Sequence, residues 1–283
     1  MYRPAGGKSR SDRGLTGQPS AAFVEARYFP RMRCLVTTAP SGSFEEAREL
    51  AERFGLEAQS RADRVIPELV EAAAGARILI LSKARADLVH RGRAFRASVG
   101  MGFLRLVRAR QGETDPLVRA AELREDDEVL DATLGLAGDA LVAAHATQAR
   151  VIGLEASSVL AAFVTAGLRR LLVPGRVAAG RIEIRCADHR AALREMPDRS
   201  VDVVLFDPMF RSAAQSGALF DLVRTLAEHA PLAPETLREA RRVARRGVLV
   251  KDAPPGHELA RLGLAPLPSR RSPRIVFGWA GAQ

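Results

Sequence analysis

Residues 131–139 read DATLGLAGD, and the reading of this stretch decides the fold. It follows the apolar pair Val129 and Leu130 and leads into an Ala/Leu/Val-rich run over 140–147. The pattern predicts a strand, a tight glycine-bearing turn and a helix. In open α/β sheets such a turn, at the carboxyl end of a parallel strand, borders the crevice where ligands bind. Gly135 and Gly138 lack a Cβ, so the backbone can take positive φ there and let a ligand come close. Acidic residues, Asp131 and Asp139, stand at both ends. That composition suits a cationic ligand better than a phosphate.

Beyond this turn the α/β alternation is regular. A strand at 151–154 precedes a helix over 157–172, with Leu160, Phe163, Val164, Leu168 and Leu171 on one face. A strand at 182–186 precedes a short helix to about 196. The nearly continuous apolar run 201–206 is typical of a central parallel strand. Helical segments follow, the last over 234–245, then a strand at 248–250 and an edge strand at 274–279. Arg238, Arg241, Arg242 and Arg245 share one face of that last helix, read as a solvated outer surface.

Acidic residues recur at these strand ends: Glu155, Asp188 and Asp207. In a doubly wound sheet the ends line one crevice, and an acid after the second strand can accept both hydroxyls of a ribose. Any one of them also fits a helix N-cap or first-turn charge. Four in register with successive strands fit a binding edge better. Asp207, Pro208, Met209 and Phe210 form the sharpest signal: a carboxylate, a stiff turn, and an aromatic three residues on. Asp207 could accept from an exocyclic amine while Phe210 stacks on its ring. Lys251, ending the fifth strand, either faces this crevice or makes a structural ion pair.

Upstream, Arg33 opens the strand-like run CLVTTA. Ser43 with Glu46 has capping-box spacing for a helix ending at Gly55. A short helix from Pro67, a buried strand at 77–81 and a hairpin over 86–99, turning at Arg91-Gly92, complete a small α/β unit. Asp115-Pro116 reads as an N-cap with Pro at the first position of a helix over 116–123. The division expected is a disordered basic tail over 1–31, a small α/β domain over 32–112, and the ligand-binding domain over 113–283. Around the hairpin, Arg91, Arg93, Arg96, Arg105, Arg108 and Arg110 are either phosphate grips or a solvated face. Phe95 and Phe103 fit the core better than base stacking.

The net charge of +10 invites a polyanionic partner, although almost all of the 43 basic residues are Arg, a skew that GC-rich coding also produces. No apolar run is long enough for a membrane span, and the first residues lack the apolar core of a signal peptide. Cys34 and Cys186 stand far apart, which suits a reduced, cytoplasmic protein. The dispersed histidines show no metal-ligand spacing.

DATLGLAGD, GLEAS (153–157), CADH (186–189) and FDPMF (206–210) resemble the motifs of class I S-adenosylmethionine-dependent methyltransferases. Within these the chain is most similar to the 16S rRNA guanine-N2 methyltransferase family, over roughly 32–280. The resemblance implies a Rossmann-like sheet of seven strands with the last antiparallel. It implies S-adenosylmethionine as cofactor and RNA as partner, 16S rRNA or a small-subunit precursor. By position, Gly138 and Asp139 match the methionine end of the cofactor site, Glu155 and Ala156 the ribose pair, and Asp188 and His189 the pair beside the adenine. Asp207 matches the acid at the methyl-transfer centre. Two positions depart from the pattern: Ala137 stands where a second glycine is common, and Arg211 where a proline is common. Two alternatives stay open: a catalytically silent RNA-binding protein on this scaffold, and an N-methyltransferase acting on DNA, protein or a small molecule.

Overall fold

The computed structural model describes residues 33–61, 64–72, 75–173, 175–208, 217–227, 230–268 and 274–283. The expected tail over 1–31 lies outside them. The first sheet has five strands: β1 (Cys34–Thr38), β2 (Glu57–Ala58), β3 (Arg77–Leu81), β4 (Ala86–His90) and β5 (Arg93–Arg96). Their order is β2-β1-β3-β4-β5, parallel through β3 and antiparallel beyond. α1 (Phe44–Arg53) and α2 (Ile66–Ala72) make the crossovers. Ser43 caps α1 by accepting from the Glu46 amide at 3.4 Å. The Glu46 carboxylate does not close the box; it turns to Arg170, at 2.9 Å. Arg91 and Gly92 turn the hairpin with φ of 50° and 71°, both positive as a two-residue type I′ turn requires.

α3 (Met101–Arg110) and α4 (Pro116–Ala120) lead to the second sheet. The Asp115 carboxylate accepts from the Leu117 amide at 2.9 Å and so starts α4. That helix ends before the expected 123 because Glu122 turns the chain at φ 47°. The second sheet runs β11-β10-β9-β6-β7-β8. Its parallel strands are β6 (Val129–Asp131), β7 (Val151–Glu155), β8 (Ile182–Cys186), β9 (Val201–Phe206) and β10 (Ala244–Asp252); β11 (Val276–Gly281) is antiparallel at the edge. Strand order reverses between β6 and β9, which places the switch point there. The intervening helices are α5 (Gly138–Thr147), α6 (Ser158–Leu168), α7 (Gly175–Ala179), α8 (His189–Glu195), α9 (Ala218–Leu226), α10 (Pro234–Val243) and α11 (His257–Arg261).

This corrects the expected seven strands to six among the described residues. A single antiparallel bridge, Pro266 to Gly278, stands where a seventh strand would pair with β11. Pro266 and Pro268 have no N–H to donate, so only the Leu267 amide bonds across, to the Phe277 carbonyl at 2.7 Å. Arg245 is a second correction: it lies in β10 and pairs with Asp202 at 3.1 Å, off the face of α10.

α6 departs from its expected single apolar face. Nine of its 11 residues are buried, because β4 packs on one side and β7 and β8 on the other. A helix enclosed this way is apolar all round. It closes at Leu168, earlier than expected, where Arg170 turns inward to the Ser82 carbonyl at 2.8 Å and to Glu46. One core therefore runs through both sheets, joining Val36, Leu50 and Leu88 to Val129, Val151 and Val203. A smaller core, including Leu130, Val204 and Val250, covers the other face of the second sheet. No helix among the described residues is long and apolar enough to cross a membrane.

Candidate active site

The turn after β6 is held from both sides. The Ala132 amide donates to the Leu205 carbonyl at 2.9 Å and the Leu134 amide to the Leu154 carbonyl at 3.0 Å, tying it to β9 and β7. Gly135 has φ 49°, and Ala137 is fully buried in the left-handed region at φ 60°, ψ 22°. Alanine accepts the conformation usual for glycine here, at a cost of about 1–2 kcal/mol. Gly138 has a packing role the sequence did not reveal. A Cβ on Gly102 of α3 would lie 2.8 Å from the Gly138 Cα, so the two helices cross where neither has a side chain.

Glu155, at the end of β7, is buried with its carboxylate aimed at backbone amides. Ser157 N–H donates to it at 2.9 Å. Burial pushes this carboxyl up to about 7, against the opposing pull of the amides of Ser157, Gly135 and Ala156. Asp188 caps α8, accepting from the Arg190 amide at 2.7 Å and from its guanidinium at 2.5 Å. Burial alone would raise this carboxyl; Arg190 holds it low. The His189 ring meets Phe206 edge-on at 5.7 Å, and burial pushes its pKa down to about 4, leaving a neutral imidazole.

Asp139 and Asp207 form one ion-paired cluster around Lys251, with the Asp131 carboxyl next to them. The Lys251 ammonium donates to Asp207 Oδ2 at 2.6 Å and to Asp139 Oδ2 at 3.0 Å. Arg105 reaches over from α3, bonding Asp139 and gripping Asp115 through two contacts of 2.8 Å. Arg105 is thus neither of the two alternatives left open for it, phosphate grip or solvated face: its guanidinium is spent on two carboxylates. Burial would raise Asp139, but Lys251 and Arg105 override it and hold the carboxyl far below its ordinary range. Burial would likewise depress Lys251, and the two aspartates keep it charged. Asp207 is raised by burial, with Lys251 opposing and Asp139 adding to the rise. Asp131 lies beneath them, 2% exposed and accepting from the Thr133 amide at 3.1 Å. Burial and then Asp139 push it up to about 8, so it carries a proton at neutral pH.

Thr133 joins the two central strand ends, its hydroxyl accepting from the Asp207 amide at 2.6 Å. Among the described residues, no group bonds the second carboxylate oxygen of Asp207. Pro208 follows, half-buried; Phe210, the expected aromatic shelf, and Arg211 lie outside the described residues. The structure thus gathers Asp131, Asp139 and Asp207 in one cluster and Gly135, Glu155 and Ala156 in another. Asp188 and His189 stand at the next strand end. Lys251, Arg105 and Thr133 complete the edge. With Asp131 protonated, the carboxylates of Asp115, Asp139 and Asp207 stand against the two cations Arg105 and Lys251, and this beside a row of acceptors fits a ligand that combines ribose hydroxyls, an amine-bearing base and a sulfonium.

An open sheet with its switch point between β6 and β9 and acids at successive strand ends is the architecture of an S-adenosylmethionine-dependent methyltransferase. Residues 67–262 match the family model described as "Putative SAM-dependent methyltransferase". The chain belongs to that family, and its cofactor is S-adenosylmethionine. It is 32% identical over 216 residues to the uncharacterized protein YpiP of Bacillus subtilis (strain 168), covering 74% of this chain and 84% of that one. It is 38% identical over 109 residues to ribosomal RNA small subunit methyltransferase J of Halorhodospira halophila, 37% of this chain and 40% of that one. The same-named protein of Thioalkalivibrio sulfidiphilus is 34% identical over 148 residues, 49% of this chain and 57% of the relative. Among solved structures, a SAM-dependent methyltransferase from Neisseria gonorrhoeae shares the fold, with a TM-score of 0.59 at 20% identity, covering 87% of this chain and 94% of that one.

Proposed function

We propose that the protein methylates an exocyclic base nitrogen of RNA, guanine N2 of 16S rRNA, in the cytoplasm. The observation that carries this reading is Asp207: a carboxylate at the switch point with Oδ2 held by Lys251 at 2.6 Å and its other oxygen without a described partner. When bound, the cofactor would supply a methyl on an electrophilic sulfonium, whose sulfur keeps the bonding pair as a neutral thioether when the methyl leaves. Glu155 and Ala156 would hold its ribose, Asp188 and His189 its adenine, and Gly135, Gly138 and Asp139 its methionine end, with Asp131 as a buried support. Asp207 would accept from the target amine. That bond localises the nitrogen lone pair, which is otherwise delocalised into the ring, and orients it for in-line attack. Once methylated, the nitrogen is acidic and releases its proton to Asp207 or to water. Lys251 acts as a positioning residue, fixing the Asp207 rotamer and favouring its charged, accepting form. Pro208 stiffens the turn and Phe210 would stack on the base, which must leave any helix to reach the edge.

The relatives named as small-subunit rRNA methyltransferases and the net charge of +10 support RNA as substrate. Mass spectrometry of rRNA nucleosides from cells with the gene, without it, and with Asp207→Ala in its place tests the reading. One N-methylated guanine is expected to disappear in the latter two. An unchanged nucleoside profile, with labelled methyl entering another fraction of the extract, would overturn RNA as substrate.

A further inference from the structure

The mechanism leaves unused the most basic surface of the amino-terminal sheet, the β4–β5 hairpin. Between residues 83 and 96 stand Lys83, Arg85, Arg91, Arg93 and Arg96 against one acid, Asp87. All five cations are exposed, whereas Asp87 is not and already pairs with Arg85 at 3.0 Å and Arg96 at 3.4 Å. An edge strand needs a charge or two to block unwanted pairing, and Arg93 and Arg96 of β5 fill that role; Arg91 in the turn and Lys83 and Arg85 ahead of β4 add three cations that it does not require.

Three further observations concern the same ribbon. Arg91 occupies a left-handed turn position, φ 50°, where asparagine or glycine would sit without strain. Beneath the turn, the charges of Arg77 and Arg91 both act on His90, so the cations of the ribbon are crowded there. The Arg93 guanidinium lies 5.4 Å from the centre of the Phe95 ring, which props it at the strand edge. These are features of a surface built to present cations.

The hairpin also leads into the reaction edge. Three residues beyond Arg96, the Val99 carbonyl lies 3.6 Å from where a Cβ on Gly138 would be, so Arg96 stands within roughly 10 Å of chain from the glycine turn. α9, the first described helix after Asp207, packs against β5. A strand of RNA with one base at Asp207 would pass this ribbon with its phosphates.

We infer that the β4–β5 hairpin is the RNA-docking surface of the protein, with Arg91, Arg93 and Arg96 gripping the phosphates that flank the target base. This rests on the reading of RNA as substrate. Binding of the full-length protein to unmodified 16S rRNA transcribed in vitro is measured across a salt series, alongside cofactor binding by calorimetry and methyl transfer. R91Q/R93Q/R96Q is expected to weaken RNA binding about tenfold at low salt and to lower the salt slope by roughly two, since each lost phosphate contact removes about 0.7–0.9 from it. Its cofactor affinity should be unchanged. R91K/R93K/R96K should keep the slope, and R48Q/R238Q, which removes exposed charge elsewhere, should leave RNA binding as it was. Wild-type binding and slope in a folded R91Q/R93Q/R96Q overturn the hairpin surface, as does equal weakening in R48Q/R238Q. In either case wild-type methyl transfer to rRNA leaves the proposed function standing. RNA held through the hairpin without methyl transfer overturns the function and keeps the surface; a wild-type protein that binds no RNA overturns both.

Discussion

Glu155 is unfavourable for folding in its charged form, the form that the proposed ribose contact uses. Its folded carboxyl is pushed up to about 7 by burial, from an ordinary value of 4.5. The protonated form is thus favoured in the folded protein. The associated stability is fully present below pH 4.5 and lost as the pH rises through 7. Glu155→Gln removes the buried charge, so the variant should be more stable than the wild type at pH 8, by at most about 3 kcal/mol and with a higher Tm, and the gap should close towards pH 5. Calorimetry at pH 8 should show cofactor binding weakened tenfold or more, because the charged acceptor is gone. Lys251 works in the opposite sense. Lys251→Met leaves Asp139 and Asp207 facing each other with less compensation, and should cost roughly 3 kcal/mol of stability. It should also raise the Asp207 pKa further, so the acid limb of the pH–rate profile moves to higher pH. Lys251→Arg should restore much of the original profile.

The strand-end acids were legible in the sequence because chain order alone places them: each follows an apolar run, and parallel strands bring their ends to one edge. The cations were not. Nothing local distinguishes Arg105 from its neighbours in a chain with 43 basic residues, and only the crossing of α3 over α5 delivers it to Asp139. Lys251 was visible as a strand-end residue, but its choice between crevice and ion pair turned out to be both.

The same limit holds for elements. α6 was legible as a helix but not as an enclosed one, although residues 156–168 carry no charge, which was the available sign. The missing seventh strand had its sign as well, in Pro266 and Pro268. The α3–α5 crossing had none, because a glycine's need appears only when its neighbour is known. Gly102→Ala would put a Cβ 2.8 Å from the Gly138 Cα and 3.1 Å from its carbonyl oxygen. Backbone cannot swing aside as a side chain can, so the helices must separate, at a cost of about 1–3 kcal/mol. A lower chemical-denaturation midpoint and weaker cofactor binding should appear together, since the shift acts on the glycine turn itself.

At the scale of the molecule, the expected boundary near residue 112 meets a core that is continuous across it. Two built-in probes can report on the halves. Trp279, the only tryptophan, lies in β11, and Cys34 is buried in β1 with its thiol pushed up to about 12 by burial. In a C186S background, Trp279 fluorescence and Cys34 reactivity towards a thiol reagent should change at one temperature. Earlier exposure of Cys34 would show that the first sheet unfolds separately.

The bridge from α3 to Asp139 also bears on how such enzymes can diversify. Because the amino-terminal unit donates a cation to the proposed reaction edge, it is not a cassette that can be exchanged freely. A chimaera carrying a foreign amino-terminal module without an Arg105 equivalent would inherit the Asp139–Lys251–Asp207 cluster with its charges out of balance, however well the graft folded. An exchange at this junction keeps the balance only if the incoming module supplies a cation where Arg105 stands.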